Sequence, residues 1–110
     1  MTTADQPARE VLIGLVNPVE GKDEEFRTWY WQTHIPEVLT VPGFVGAQCY
    51  RLDGEPGQGA PYRYATVYEV EGSAAEARGR LYTAGLGFSD LLDLNDMIMA
   101  PFGAPLSVSP

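Results

Sequence analysis

The sequence predicts an α+β fold of order β-α-β-β-α-β, with a four-stranded antiparallel sheet carrying two helices on one face. Three observations lead there. Residues 10 to 17, "EVLIGLVN", are apolar at both odd and even positions, as in a strand covered on both sides. Residues 62 to 71, "YRYATVYEVE", place Tyr62, Tyr64, Thr66, Tyr68 and Val70 on one parity, the period of a strand. Two helix-start signals separate the strand-like runs: Asp23-Glu24-Glu25, and Ser73 followed three residues later by Glu76.

Taken in order, residues 1 to 9 are polar, contain Pro7 and lack periodicity, so a disordered tail is expected there. A single domain is expected over residues 10–110, a length that supports one core and not two. Strand one stops at Asn17-Pro18. The acidic triplet at 23 to 25 suits the positive end of a helix dipole, and that helix runs to about Leu39. Pro36 disturbs it, having no N–H for the carbonyl of Gln32 and a ring that crowds that carbonyl. "TVPGF" breaks the chain before strand two, "FVGAQCYRL", residues 44 to 52. The Gly- and Pro-rich "DGEPGQGAP" is a loop leading to strand three. The second helix follows Ser73, is weakened by Gly79 and ends at Gly85 or Gly87. "FSDLLDL" reads as a short irregular turn, and "NDMIMAPFGAPLSVS" as a last strand that Pro101 and Pro105 confine to an edge or bulge. This order is the split βαβ arrangement of ferredoxin-like domains. Such a domain leaves one sheet face bare, yet strand one is apolar on both faces and Ala65 and Val67 back the tyrosines of strand three. A homodimer that joins the two sheets is expected to cover that face.

Composition narrows the function. Lys and Arg number 7 against 15 Asp and Glu, a formal charge of −8, with no basic cluster. Such a surface repels phosphate backbones and anionic lipids, so neither nucleic acid nor membrane is an expected partner. The single Cys49 offers no internal disulfide, and no Cys/His cluster has zinc spacing. Residues 1 to 10 have no basic start and no apolar core of a signal peptide, and a cytoplasmic location is expected. No phosphate loop or dinucleotide fingerprint occurs, and no cofactor is expected.

Residues 26 to 44, "FRTWYWQTHIPEVLTVPGF", hold both tryptophans and the one histidine. On a helical wheel Phe26, Trp29, Tyr30 and Thr33 share an arc with His34 at its edge, while Trp31, Ile35 and Leu39 fall opposite. Two apolar stripes mean a helix covered twice, or one whose register changes at the proline. A break just past His34 would leave freed carbonyls beside it, which favour a protonated imidazole. Two readings of His34 follow. It either caps the helix end or serves as a proton carrier in a pocket of mixed polarity. The strand-three tyrosines are likewise either packing pairs or pocket walls.

The pattern F-x-x-W-Y-x-x-x-H-I-P-E-V-L-x-V-P-G-F, together with "YRYATVYEVEG", resembles EthD-like proteins of the dimeric α+β barrel superfamily. The resemblance implies a ferredoxin-like protomer whose sheets pair into a barrel, and relatives that include cofactor-free polyketide cyclases, isomerases and monooxygenases. It also implies that His34 faces the cavity. The absence of a second histidine excludes two-histidine mechanisms, and no further axial candidate supports haem degradation. Two classes of function remain. In the first, a cofactor-independent enzyme acts on a small aromatic, polyketide-like or lactone-like ligand, with His34 as acid or base and Tyr30, Tyr64 and Tyr68 orienting oxygens. Arg51 steadies an enolate or carboxylate if it points inward, and is otherwise a solvated hairpin residue. In the second, the same aromatics hold a hydrophobic ligand without turnover, and His34 only donates a hydrogen bond.

Overall fold

The computed structural model describes residues 9–57, 59–87 and 89–106, so the tail expected over residues 1–9 lies almost wholly outside the described residues, as does the very end of the last segment. Strand β1 (Glu10–Val16) turns Leu12, Gly14 and Val16 into the core and leaves Val11, Ile13 and Leu15 half-buried on the other side. Strand β3 (Tyr64–Val70) pairs with it antiparallel, setting Tyr68 opposite Leu12 and Tyr64 opposite Val16. Strand β2 (Phe44–Arg51) flanks β3 and strand β4 (Ile98–Phe102) flanks β1, giving the order β2-β3-β1-β4 with every pairing antiparallel. Pro101 sits on β4 as the sequence predicts, because an edge strand can lose one donor. One bulge shifts the register of β2 between Phe44 and Gly46, so that Val45 turns outward and is exposed.

The first helical segment differs from its expectation in kind. Helix α1 (Asp23–Trp29) passes into a π-helical turn over Tyr30–His34 and continues as α2 (Ile35–Val38). The irregularity lies ahead of Pro36 and the helix does not end there. Within the wide turn the Ile35 N–H reaches back to the Tyr30 carbonyl, five residues away, and Pro36 then opens the next α-helical turn, where its missing donor costs little. The added residue rotates the helix, and this explains how Phe26, Tyr30, His34 and Val38 all come to face the sheet.

Helix α3 (Ala74–Thr83) begins where predicted, with the Ser73 hydroxyl accepting from the Glu76 N–H at 3.1 Å. A second orphan amide, that of Ala74, donates to the Glu10 carboxylate on β1 at 2.7 Å, which ties the helix start to the sheet. Both helical segments pack on one face. One buried cluster gathers Leu12, Val38, Phe44, Tyr68, Val70 and Ala77; the other gathers Val16, Phe26, Tyr30, Tyr64 and Leu92. The face away from the helices presents Val11, Ile13, Leu15, Ala65, Val67 and Ala100, half-buried, with Ile98 and Phe102 exposed at its β4 edge. No helix among the described residues is long and apolar enough to cross a membrane.

Candidate functional site

Between the helical layer and the sheet lies a cavity of about 430 Å³. The π-turn contributes Tyr30 and His34, β3 contributes Tyr68, and β1 contributes Val16. Helix α3 adds Leu81 and Tyr82, while the connection to β4 closes the far side with Leu86, Leu92 and Leu94. Met97 and Met99 complete the wall. Met99 is placed by Gly14, its cross-strand partner: a Cβ on Gly14 would lie 2.9 Å from the Met99 sulfur, so the glycine makes room for that side chain against β1.

The connection between α3 and β4 is held down at one end. Val19 N–H donates to the Leu91 carbonyl at 2.7 Å, Asp93 N–H donates to the Asn17 carbonyl at 3.0 Å, and the Tyr62 hydroxyl donates to Asp96 at 2.9 Å. These bonds fix Leu92 over the cavity, where it is buried.

His34 is 8% exposed and lies between aromatic rings, stacked on Trp29 at 4.8 Å and on Tyr30 at 5.4 Å between centroids. The protonated imidazole expected beside freed carbonyls is not what forms. The helix continues past His34, with Ile35 N–H bonded to Tyr30 and Leu39 N–H bonded to Ile35, so the imidazole does not stand at a helix end. Burial instead lowers the imidazole to about 4. At neutral pH the ring is uncharged, able to accept a proton on one nitrogen or to donate from the other.

That shift has a consequence for stability. The unfolded chain takes up a proton near pH 6.5, while the folded chain resists doing so until about pH 4. Stability is therefore expected to fall as the pH drops through this window, by on the order of 2 kcal/mol from this group. Comparing urea midpoints of the wild type and His34→Gln at pH 7 and pH 4.5 removes the carboxylate contribution common to both. The glutamine variant should lose less stability on acidification; equal losses would mean that the imidazole titrates normally.

A hydrogen-bonded chain lies beneath the cavity floor. The Tyr68 hydroxyl lies close to that of Tyr30, Tyr30 shares a 2.8 Å bond with the Thr66 hydroxyl, and Thr66 donates to the Cys49 sulfur at 3.3 Å. Burial raises both phenols above their ordinary values, so both are neutral donors at physiological pH. Thr66 is fully buried and links Tyr30 to Cys49. Thr66→Val keeps the shape but leaves the Tyr30 hydroxyl short of a partner, and should cost about 1–2 kcal/mol in urea unfolding. Thr66→Ser should stay within about 0.5 kcal/mol of the wild type. Equal losses in the two variants would show that the methyl, not the hydroxyl, matters here.

Of the five side chains singled out in the sequence, the structure brings Tyr30, His34 and Tyr68 to one cavity and leaves Tyr64 and Arg51 outside it. Tyr64 is buried against Phe26 at 5.3 Å and donates to the Asp23 carboxylate at 2.8 Å. Burial, and then that carboxylate, pushes its hydroxyl up to about 12. Arg51 does not point into the cavity. Opposite Tyr64 at the end of β2, it lies alongside α1, where it donates to Asp23 at 3.3 Å and lines a shallow outer cleft with Trp31 and Cys49. Asp23 also faces Arg27 at 3.7 Å and Arg63 at 3.6 Å, so this carboxylate binds the start of α1 to β2 and β3.

The aliphatic wall was not singled out in the sequence. Leu81 and Leu86 lie on a helix and a connection whose apolar residues have no regular spacing, and no signal in the sequence separates them from ordinary core. Thr66 could have been found: a hydroxyl amid buried tyrosines on one strand parity needs a polar partner.

No protein-family model matches the chain, and no curated protein does. Solved structures do share its fold. HapK from Hahella chejuensis aligns over 91% of this chain and 99% of its own with a TM-score of 0.61 and 19% identity. The fold is ferredoxin-like. A candidate monooxygenase from Shewanella loihica PV-4 aligns over 94% of this chain and 99% of its own, with a TM-score of 0.54 and 20% identity. An EthD family protein from Bacillus halodurans c-125 aligns over 84% of this chain and 96% of its own, with a TM-score of 0.47 and 22% identity.

Proposed function

We propose that the chain is a cofactor-independent enzyme of the cyclase, isomerase or monooxygenase type, acting on a small aromatic, polyketide-like or lactone-like substrate. The observation that carries this reading is the position of His34: a neutral imidazole at the wall of a 430 Å³ cavity, beside two neutral phenols. A cavity of this size suits a small organic molecule. In this reading the imidazole takes a proton from an acidic C–H or O–H of the substrate, and Tyr30 and Tyr68 hold the oxygen on which charge develops. The wide π-turn supports it further, since such turns re-aim side chains at functional sites. The same fold in a candidate monooxygenase and the EthD-like motif point the same way by analogy.

A second reading has its own observation. An imidazole lowered to about 4 is a weak base, and most of the wall is Leu and Met, so a binding protein that holds a hydrophobic ligand also suits the site. Proton exchange separates the two. In D₂O at pH 7 the acid–base enzyme should speed deuterium entry into the central CH₂ of 1-phenylbutane-1,3-dione, and His34→Gln should abolish the acceleration. A wild type that binds the diketone without accelerating exchange would favour the binding reading.

A further inference from the structure

The cavity has a buried end and an open end, and the two differ in chemistry. Tyr30, His34 and Tyr68 form the buried end, and each is almost wholly shielded from solvent. Tyr82 at 60% exposure and Leu94 at 54% mark the mouth. Between them run Leu81, Leu86, Met97 and Met99, so every polar side-chain group deeper than the mouth is a hydroxyl or an imidazole.

No Asp, Glu, Lys or Arg lines this cavity among the described residues. The arginines around the helices and sheet are engaged elsewhere: Arg27, Arg51 and Arg63 face Asp23, and Arg78 donates to the Met99 carbonyl at 3.0 Å from behind the cavity wall. His34 does not supply a positive charge at neutral pH, because burial keeps it neutral. The formal charge of −8 disfavours the entry of an anion from a distance. A carboxylate at the floor would lose its hydration and meet no cation, and an ammonium group there would meet no carboxylate.

We infer that the cavity takes an uncharged molecule with one hydrogen-bonding oxygen at its buried end (a ketone, enol or phenol) and an apolar body reaching toward Tyr82 and Leu94. The charged counterparts of the same shape are rejected. This rests on the reading that the cavity is the ligand site, and it narrows the substrate class from lactone-like acids and neutral polyketides to the neutral members. The hydrogen bonds follow from the floor: the uncharged imidazole can donate to a carbonyl oxygen or accept from a hydroxyl, and a ligand oxygen can draw the hydroxyl proton of Tyr30 or Tyr68 away from its present partner. The flexible Met97 and Met99 side chains adapt the wall to bodies of different outline.

Three rigid probes of one shape test the idea. These are 2-acetylnaphthalene, 2-naphthoate and 2-(aminomethyl)naphthalene, the first differing from the second only by a methyl group in place of a carboxylate oxygen. Each is titrated at pH 7 against the full chain carrying the neutral fluorophore N-phenyl-1-naphthylamine, and displacement is read by fluorescence. The ketone should displace at least tenfold more effectively than either ion, and Tyr30→Phe should weaken the ketone several-fold. Naphthoate or the ammonium compound binding as tightly as the ketone would overturn the charge selection while leaving the cavity as the ligand site. Ketone affinity indifferent to Tyr30→Phe would overturn the placement of the oxygen at the floor. If neither the fluorophore nor any probe binds, the cavity is not a ligand site, and the underlying reading falls with this one.

Discussion

Replacing His34 with glutamine is expected to leave the fold intact and to cut turnover of the true substrate by roughly a hundredfold or more, the usual worth of one positioned acid–base group. The fold should survive because His34 stands at the wall of a cavity, stacked on Trp29 and Tyr30, and belongs to neither buried hydrophobic cluster. Glutamine keeps a donor and an acceptor but cannot carry a proton. His34→Ala removes both and should lose turnover to a similar extent. In a binding protein the pair would separate: glutamine should retain the affinity, while alanine weakens it by about 1 kcal/mol. The diketone exchange assay reads the first outcome, fluorophore displacement reads the second, and circular dichroism checks that both variants are folded. Equal exchange rates for all three proteins would remove His34 from the chemistry.

Much of this architecture is legible in the sequence because hydrophobic period and capping act locally. The alternation of Tyr64, Thr66, Tyr68 and Val70 fixes which face of β3 meets the helices, and Ser73 fixes where α3 begins. Pro36 marks the irregular stretch of the first helix, but it does not say how the chain absorbs it. Ending the helix and widening the preceding turn both remove the clash, and the buried contacts of Phe26, Tyr30 and Val38 favour the second. The protonation of His34 is misread for the same reason, since a capping position and a buried one reverse the sign of its shift. Arg51 and Tyr64 share the helix-facing parity with Tyr68, yet Asp23 at the start of α1 holds both, and Phe26 packs over Tyr64, so neither reaches the cavity. Parity gives the face; only the way the helices lie over the sheet gives the site.

At micromolar concentration the chain is expected to be a dimer of twice 12.0 kDa, joined through the open faces of its two sheets, and Val67→Glu is expected to make it a monomer. The helices cover one face of the sheet and no element of the described chain covers the other. That other face carries Val11, Ile13 and Leu15 on a central strand, Ala65 and Val67 beside them, and Phe102 exposed to 51% at the rim. A contiguous apolar surface of this kind on a small domain marks an interaction site. Self-association through a two-fold axis uses one such face twice. Val67 lies opposite Ile13 near the middle of this face, while its neighbours Thr66 and Tyr68 point to the helices, so glutamate there should leave the core unchanged. In the dimer, however, two carboxylates would be buried, each costing several kcal/mol, and the dissociation constant should rise by on the order of a thousandfold. Sedimentation velocity over a tenfold range of micromolar concentration reads both states. A wild type that stays at 12.0 kDa would show that the apolar face is not closed by a second copy. A Val67→Glu protein that stays dimeric would place the contact elsewhere, on a sheet edge or the helical layer.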